Sequence, residues 1–338
     1  MKQGRIFFRA DGHQGMGLGH VVRSMALAEM LKEDYDIVFA SRNPLSSLKQ
    51  QIQALGIELL ELPWPSEDLE EAKILCDQFL RQEDIVVLDG YHFTTSYQKR
   101  IMDKGCKLVA IDDIHAYPFL ADVVINHALG IGKADYELGS ETLLKLGTKF
   151  SLLRKEFRLA KKRSQESFYN GPILLCCGGA DPKNDSLRIL KQLIALELGQ
   201  AIHLVLGAAF DYHLELGAYL EQGPKKQVIV HQDLSASSLV NLFQVCPTAI
   251  LPPSTIAYEY LSIGGLLYLE VIADNQVRMF EGFVKLGLAK PFSELQATPD
   301  MNTNHWHMLL QHQATYFDGQ QQARFKQIFK ELTVAVTA

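Results

Sequence analysis

The chain has 338 residues, 47% of them hydrophobic, and a mean hydropathy close to zero, which is typical of a globular protein long enough for two domains. Its net charge of −6 provides no basic surface for nucleic acid, and no apolar run reaches the ~20 residues of a membrane span. The five cysteines lack C-x-x-C pairing, and Met1–Arg5 leads into a strand without a secretory apolar segment, so we predict a cytoplasmic protein.

Short apolar runs alternate with helical patterns along the chain, which predicts α/β layers built on parallel sheets. In the first half, the predicted strands lie near Arg5–Phe8, Ile37–Ala40, Ile57–Leu60, Ile85–Leu88, Leu108–Ile111 and Val123–Ile125. The predicted helices lie near Val21–Leu31, Leu45–Ala54, Glu67–Gln82 and Thr95–Lys104. The charged stretch Leu159–Asn170 is predicted to connect two domains.

The second half repeats the alternation from Pro172 onward. The predicted strands are Pro172–Cys177, Ile202–Leu206, Val228–His231, Ala249–Leu251 and Leu266–Val271. The predicted helices are Leu187–Leu198, Ser237–Gln244, Ser254–Gly264, Gln276–Leu286 and a tail from Gln320. We therefore predict two Rossmann-like domains, residues 1–160 and 171–338, with parallel sheets that face a cleft.

A glycine-rich turn joins the first predicted strand to the first predicted helix. Gly15, Gly17 and Gly19 precede His20, and the G-x-G-x-G-H spacing is neither the dinucleotide fingerprint nor a P-loop. Glycines at a helix start let backbone N–H groups approach an anionic ligand. A histidine titrates near neutral pH, so His20 is a candidate general base, although it could also be a residue that only begins the helix.

Acidic residues follow two further strands of the first half. Asp89 and Tyr91 come after the fourth predicted strand, and Asp112 and Asp113 come after the fifth. At strand ends these side chains could reach a ligand, or the aspartates could cap helices and close turns. Neither these carboxylates nor the histidines, which include no H-E-x-x-H, indicate a metal site, and we predict no metal and no cofactor.

Two strand-to-helix turns of the second half could bind phosphate. Gly178 and Gly179 allow close backbone approach, and Asp181 before Pro182 resembles a helix cap with proline at the first helical position. In the later turn, Ser254 and Thr255 could bind phosphate oxygens. Glu259, one turn further on, could accept hydrogen bonds from ribose hydroxyls or could be a solvated helix residue.

Taken together, these segments resemble one family, the UDP-2,4-diacetamido-2,4,6-trideoxy-β-L-altropyranose hydrolases of pseudaminic acid synthesis. The resemblance spans roughly residues 5–290, and two of its motifs also resemble glycosyltransferases of the MurG type. It rests on Arg9–Arg23 (R-A-D-x-x-x-x-x-G-x-G-H-x-x-R), Asp89-x-Tyr91, Ile111-Asp112-Asp113, Ile125-Asn126, Leu152–Phe157, Gly178–Pro182, Ser254–Glu259 and Asn275-Gln276.

The resemblance implies a GT-B architecture and hydrolysis of a UDP-sugar by water, with inversion at the anomeric carbon. His20 would activate the water, with Tyr91 and Asn275 around the sugar. The candidate substrate-binding residues are Arg9, Asp11, Gly17, Gly19, Arg23, Asp89, Arg154, Gly178, Gly179, Ser254, Thr255, Glu259 and Gln276. Two alternatives stay open, namely an inverting GT-B glycosyltransferase that uses a UDP-sugar donor and a nucleotide-sugar-binding protein without activity.

Overall fold

The computed structural model of the chain describes residues 2–12, 19–63, 67–164, 171–179, 181–223, 227–295 and 303–337, and all of their side chains except those of 47 and 335–337. The chain divides into two compact units. Unit 1 comprises Met1–Lys155 and Gly319–Ala338, and unit 2 comprises Glu156–Asp318.

Within its described residues, unit 1 contains a seven-stranded parallel sheet in the order β3-β2-β1-β4-β5-β6-β7. The strands are β1 (Arg5–Ala10), β2 (Asp36–Arg42), β3 (Glu58–Leu62), β4 (Ile85–Asp89), β5 (Lys107–Ile111), β6 (Val123–Asn126) and β7 (Leu143–Leu146). The helices between them are α1 (Gly19–Leu31), α2 (Ser46–Ala54), α3 (Asp68–Ile74) and α4 (Thr95–Asp103). A short helix, α5 (Lys155–Leu159), begins at the last residue of this part of unit 1.

The central strands of unit 1 are buried on both faces, which explains their continuous apolar sequences. In β1, Ile6 and Phe8 belong to one apolar cluster and Phe7 to another, as the two-residue period of a strand requires. Ile85 and Val87 of β4 join the first cluster, and Val86 joins the second. The sheet is therefore the middle layer of a three-layer unit.

Within its described residues, unit 2 contains a six-stranded parallel sheet in the order β10-β9-β8-β11-β12-β13. Its strands are β8 (Ile173–Cys176), β9 (Ile202–Leu206), β10 (Val228–Gln232), β11 (Thr248–Leu251), β12 (Leu266–Leu269) and β13 (Lys290–Pro291). Its helices are α6 (Asp185–Ala195), α7 (His213–Gln222), α8 (Ala236–Val245), α9 (Thr255–Ile263), α10 (Val277–Lys285) and α11 (Thr303–Tyr316).

Both sheets reverse their strand order beside their first strand. In unit 1 the chain runs from β1 outward to β3 and returns with β4 on the other side of β1. In unit 2 it runs from β8 outward to β10 and returns with β11 on the other side of β8. In open α/β sheets, the crevice at the carboxyl ends of the strands flanking such a reversal is where ligands bind.

The last helix, α12 (Gln321–Thr337), belongs to unit 1, although the predicted second domain extended to residue 338. Phe325, Ile328 and Phe329 of α12 are buried in the same apolar cluster as Leu27 and Leu31 of α1. An apolar helix face must be covered, and the sequence period does not indicate which sheet covers it. The connection between the units accordingly falls at Lys155–Glu156 rather than at the predicted stretch Leu159–Asn170, of which residues 165–170 lie outside the described part.

Several other elements differ from the prediction. The predicted helix Glu67–Gln82 is observed as α3 followed by a π-helical turn, Leu75–Phe79. The remaining residues up to Gln82 are not helical. The prediction does not contain strands β7 and β13 or helices α5, α7 and α11, because their sequences are short or have weak apolar periodicity. Trp306 and Leu310 of α11 nevertheless complete the apolar cluster of unit 2.

Candidate functional site

In unit 1, the strand-order reversal brings together the ends of β1 and β4. Ala10 and Asp89 are register partners at these ends, and His20 is the second residue of α1. The Asp89 side chain is completely buried, and His20 is only 6% exposed. The structure therefore places two predicted site residues at the position where this fold class binds ligands.

His20 and Asp89 form a hydrogen-bonded pair. The imidazole Nδ1 lies 2.7 Å from Asp89 Oδ1, and the same carboxylate accepts hydrogen bonds from Arg23 Nε at 2.8 Å, Arg23 Nη2 at 2.6 Å and Ser24 Oγ at 2.9 Å. Arg23 Nη2 also lies 3.0 Å from this Nδ1. Because an ionised carboxylate only accepts hydrogen bonds, we assign the Nδ1 proton to the bond with Asp89. The remaining ring nitrogen, Nε2, then has the lone pair that a general base needs.

Arg23 keeps Asp89 ionised. Complete burial by itself would raise the pKa of Asp89, but the charge and hydrogen bonds of Arg23, together with the hydrogen bond from His20, hold it below its ordinary value. An ionised carboxylate on Nδ1 stabilises the imidazolium that forms when Nε2 accepts a proton. Arg23 thus acts on the imidazole through Asp89.

Tyr91 lies against the imidazole. Its ring meets the His20 ring edge to face at 4.6 Å between centroids, and 41% of the residue is exposed. Burial of part of the side chain and the charge of Asp113 raise the pKa of Tyr91 to about 12, so the phenol keeps its proton at neutral pH. Asp113 itself accepts a hydrogen bond from Arg23 Nη1 at 2.7 Å.

His127 is a neighbour of this cluster that the sequence did not indicate. It follows β6 and is 6% exposed, and burial followed by the charge of Arg23 lowers its pKa to about 4. His127 is therefore neutral at neutral pH. The only sequence signal for His127 was its position just after the predicted strand Val123–Ile125 and Asn126. Asp89 was selected because it also follows a predicted strand.

Arg9 and Asp11 form a separate buried cluster. Arg9 is completely buried and donates to Asp11 at 2.5 and 2.8 Å and to Glu71 at 2.8 and 2.9 Å. Arg42 donates to the same Glu71 at 2.6 Å, and its backbone N–H donates to Asp11 at 2.8 Å. These bonds favour a structural role for both predicted substrate-binding residues.

Asp112 closes a turn. Its carboxylate accepts hydrogen bonds from the backbone of Ile114 and His115 at 3.0–3.2 Å and from the Tyr136 hydroxyl at 2.7 Å. The Tyr136 hydroxyl in turn accepts a hydrogen bond from the Asn126 amide at 2.8 Å. Of the two adjacent aspartates, the structure thus uses Asp112 for the loop and places Asp113 beside Arg23.

Three other candidates of unit 1 contribute less to this picture. Gly17 lies in residues 13–18, outside the described part of the chain. Gly19 is the first residue of α1, and a Cβ built on it would contact nothing within 4 Å. Arg154 is half-buried and lies one residue before the end of the first segment of unit 1, Met1–Lys155.

In unit 2, the strand-order reversal brings together the ends of β8 and β11. Gly178, after β8, has a φ of +93°, which requires glycine, and a Cβ on Gly179 would meet open space. The backbone of Gly179 packs against Gly207, where a Cβ would lie 2.2 Å from the Gly179 carbonyl oxygen. The glycines therefore shape a tight loop whose backbone is open to a ligand.

Asp181 caps helix α6, but not in the predicted way. Its carboxylate accepts hydrogen bonds from the backbone N–H groups of Asp185 at 2.7 Å and Ser186 at 2.8 Å. The helix begins at Asp185 with Asn184 as its N-cap, so Pro182 lies in the preceding turn and not in the first turn of the helix. Since the carboxylate occupies these N–H groups, the start of α6 is a poor phosphate site.

The start of α9 is better suited to an anion. Ser254 is the N-cap residue, and its side chain makes no capping hydrogen bond to the helix. Ser254 and Thr255 are half-buried, whereas Glu259 is 2% exposed and so is not a solvated helix residue. Burial raises the pKa of the Cys176 thiol to about 11, and the charges of Asp181 and Glu259 add to this rise, which places both near the end of β8.

Asn275 and Gln276 follow β12 in a 3-10 turn, Asp274–Gln276. Asn275 is exposed, whereas the Gln276 side chain accepts a hydrogen bond from the backbone N–H of Ile272 at 3.0 Å. Asn275 belongs to unit 2 and His20 to unit 1. Among the described residues, no group of three or more histidine, cysteine or acidic side chains could hold a metal ion, and no helix is long and apolar enough to cross a membrane.

Comparison with known proteins finds relatives of moderate similarity and no matching family model. The chain is 28% identical over 195 residues to the UDP-2,4-diacetamido-2,4,6-trideoxy-beta-L-altropyranose hydrolase of Campylobacter jejuni, covering 56% of this chain and 65% of that protein. It is 26% identical over 270 residues to an uncharacterized protein of Methanocaldococcus jannaschii, covering 77% and 54%. The match to the spore coat polysaccharide biosynthesis protein SpsG of Bacillus subtilis is 23% identical and covers 86% and 84%. The chain thus spans between half and two thirds of the length of the first two relatives.

Solved structures with the same architecture include glycosyltransferases and a UDP-N-acetylglucosamine 2-epimerase, which superposes with a TM-score of 0.59 at 13% identity over 96% of this chain and 95% of its own. The calicheamicin glycosyltransferase CalG4 superposes with a TM-score of 0.63 at 12% identity over 98% of both chains. MurG of Acinetobacter baumannii superposes with a TM-score of 0.55 at 13% identity, over 96% of this chain and 93% of its own. These matches confirm the predicted fold class, since the two parallel-sheet α/β units are those of the GT-B fold.

Proposed function

We propose that this chain hydrolyses a UDP-linked amino sugar, such as UDP-2,4-diacetamido-2,4,6-trideoxy-β-L-altropyranose, to the free sugar and UDP. The observation that carries the proposal is the 2.7 Å hydrogen bond from His20 Nδ1 to the buried Asp89 at the strand-order reversal of unit 1. The names of the Campylobacter jejuni and Bacillus subtilis relatives support a role in sugar metabolism.

In the proposed reaction, His20 Nε2 accepts a proton from water as the water oxygen bonds to the anomeric carbon. The bond from that carbon to the phosphate oxygen breaks, and UDP leaves from the opposite face, which inverts the configuration. Asp89 stabilises the imidazolium, and the protonated Tyr91 beside it can donate a hydrogen bond to the sugar. Because UDP is already a good leaving group, the proposal needs no second acid.

Unit 2 would bind the nucleotide. The uncapped start of α9, with the hydroxyls of Ser254 and Thr255, suits the diphosphate, since backbone N–H groups and the helix dipole favour anions there. The buried Glu259 would accept hydrogen bonds from the ribose hydroxyls, while Gly178 and Gly179 would let the backbone approach the nucleotide. We assign Asn275 to the sugar.

The second candidate is an inverting glycosyltransferase, which the solved structures of the same fold favour. In that reaction, His20 would take the proton from an acceptor hydroxyl instead of water. The third candidate, a binding protein without activity, would bind UDP tightly and release no product from a UDP-sugar.

The deciding experiment incubates the purified protein with UDP-sugars and no acceptor, and follows UDP release and the product anomer by NMR. We expect free sugar of inverted configuration. His20→Ala should lower turnover by roughly two to four orders of magnitude and leave UDP affinity intact. Glu259→Ala should weaken UDP binding by about 1.5–3 kcal/mol in calorimetry.

His305→Ala, which removes an exposed histidine of α11, is the matched control and should change neither quantity. UDP release only when an acceptor is added would identify a glycosyltransferase. Tight UDP binding with no product under any condition would leave only the binding protein.

A further inference from the structure

Asp113 has one carboxylate oxygen without a donor. Its Oδ2 accepts the hydrogen bond from Arg23 Nη1 at 2.7 Å. Its Oδ1 is buried and accepts no hydrogen bond within the part of the chain that the structure describes, so the interaction of the Tyr91 hydroxyl with this carboxylate does not satisfy it. The side chain as a whole is 26% exposed, so part of Asp113 lies at the edge of the cluster.

The groups around Arg23 leave Asp113 Oδ1 without a hydrogen-bond donor. One guanidinium serves two carboxylates, and Asp89 takes two of its hydrogen bonds and Asp113 takes one. The neighbouring His127 is neutral at neutral pH and adds no positive charge. A carboxylate oxygen that has lost water and gained no donor is unfavourable, and a ligand that brings an N–H or O–H group would satisfy it.

The position of Asp113 is fixed before any ligand arrives. Its neighbour Asp112 locks the loop through hydrogen bonds to the backbone of Ile114 and His115. Arg23, which holds Asp113, is itself held by Asp89. Such an acceptor can discriminate between ligands, because a ligand without the matching donor leaves it unpaired.

The hydrogen-bond donor that would pair with Asp113 Oδ1 is a group of the sugar and not the imidazole of His20. The imidazole of His20 already has Asp89 as its carboxylate, and Asp113 lies instead near Tyr91, whose ring contacts that imidazole. A group held by Asp113 would therefore be a substituent of the ring whose anomeric carbon reacts at His20.

We propose that Asp113 is a specificity-determining residue, and that its Oδ1 accepts a hydrogen bond from an acylamino N–H or a hydroxyl of the sugar. This inference rests on the proposed function and adds to it the substrate group that unit 1 recognises. In Asp113→Asn, Arg23 needs an acceptor and takes the amide oxygen, so the amide NH₂ faces the substrate donor and repels it.

The test measures kcat/KM for wild type and Asp113→Asn on a substrate series. The series is UDP-2,4-diacetamido-2,4,6-trideoxy-β-L-altropyranose and three analogues, each with one acetamido group or the free ring hydroxyl replaced by hydrogen. We expect the variant to lose about 10- to 100-fold on every substrate that retains the recognised donor, and little on the single analogue that lacks it. The analogue concerned identifies the donor as N–H or O–H.

Asp103→Asn, on an exposed side chain of α4, is the matched control and should behave as wild type on all four compounds. UDP affinity should be unchanged in Asp113→Asn, and its thermal unfolding midpoint should stay above the assay temperature despite the lost ion pair. Asp113→Ser provides a second variant if the first fails to fold. An equal loss on all four compounds, or no loss on any, would overturn the role of Asp113. Absence of turnover by wild type on all four would instead overturn the proposed function.

Discussion

Buried arginines organise the polar side chains of unit 1, and each has its own carboxylates. Arg9 is held between Asp11 and Glu71, and Arg23 between Asp89 and Asp113. Burial would raise the pKa of Glu71, but hydrogen bonds and charge from Arg9 and Arg42 lower it to about 2. Removing one member of such a pair leaves a buried charge unpaired and costs about 3–5 kcal/mol. These pairs fix the strand ends on which His20 depends.

His127 makes the stability of unit 1 depend on pH. Burial and the charge of Arg23 lower its pKa to about 4, whereas a histidine in an unfolded chain titrates near pH ~6.5. Between these values the unfolded chain binds a proton that the folded chain excludes. The contribution is therefore fully present above the unfolded pKa and is lost as the pH falls toward the folded one.

We predict that His127→Gln reduces this pH dependence. Between pH 7 and pH 5, wild type should lose about 2 kcal/mol more of its unfolding free energy than the variant does. Denaturant unfolding followed by circular dichroism at the two pH values measures the difference. His305→Gln on α11 should keep the wild-type slope, and an equal slope in His127→Gln would show that His127 is protonated in the folded chain.

At the scale of elements, unit 2 builds its candidate nucleotide site from loops that follow strands. The loop after β8 depends on the loop after β9, because the backbone of Gly179 lies where a Cβ on Gly207 would be. Such contact between two backbones leaves no room for adjustment by a flexible side chain.

We predict that Gly207→Ala lowers the affinity for UDP by at least about 10-fold, because the new methyl group displaces the Gly178–Gly179 loop. Isothermal titration calorimetry with UDP provides the measurement. The control is Gly217→Ala in α7, where a Cβ would contact nothing within 4 Å. Unchanged affinity in Gly207→Ala would separate this loop from nucleotide binding.

Helix α12 provides a prediction about unit 1. Phe329 is completely buried against Tyr35, and its replacement by alanine should destabilise the unit by about 3–5 kcal/mol. Hydrogen exchange should accelerate in β1 and α1 and remain slow in β8 and β11. Val334→Ala, at a site 59% exposed on the same helix, should have little effect. Acceleration confined to unit 2 would show that α12 packs on the sheet of unit 2 instead of that of unit 1.

At the scale of the whole molecule, the proposal divides the reaction between the two units. Unit 1 carries the base and the carboxylate that would recognise the sugar, and unit 2 carries the groups that would bind the nucleotide. The diphosphate would be neutralised by the helix start at Ser254–Thr255 and by backbone N–H groups, without a cation.

We therefore predict that activity persists in excess EDTA. The carboxylates near His20 are already bound to Arg23, and Asp112 is engaged in its turn, so they are poor ligands for Mg²⁺. UDP release in the presence and absence of chelator is the measurement, and EDTA treatment of a known Mg²⁺-dependent glycosyltransferase is the control. Loss of activity that Mg²⁺ or Mn²⁺ restores would favour a metal-assisted transfer.

Local sequence signals were sufficient for most strands and helices and for the fold class. Buried parallel strands such as β1 and β4 are continuous apolar runs, and glycine turns mark where strands pass into helices. His20 could be selected because it closes such a turn. By contrast, the repeated pattern could not show that α12 covers unit 1, since an amphipathic helix fits either sheet.

The sequence by itself determined the two α/β halves and the candidacy of His20, because hydrophobic period and turn chemistry are local properties. The GT-B class was implied by the resemblance to the hydrolase family. Only the tertiary structure decided which charges meet. His20 and Asp89 are 69 residues apart, and Arg23 and Asp113 are 90 apart, so no spacing rule connects them. The tertiary structure also showed that Arg9 and Asp11 form their own buried cluster, whereas Asp113 and His127 lie beside Arg23. The pairing of buried charges depends on strand order, and strand order is a property of the folded sheet.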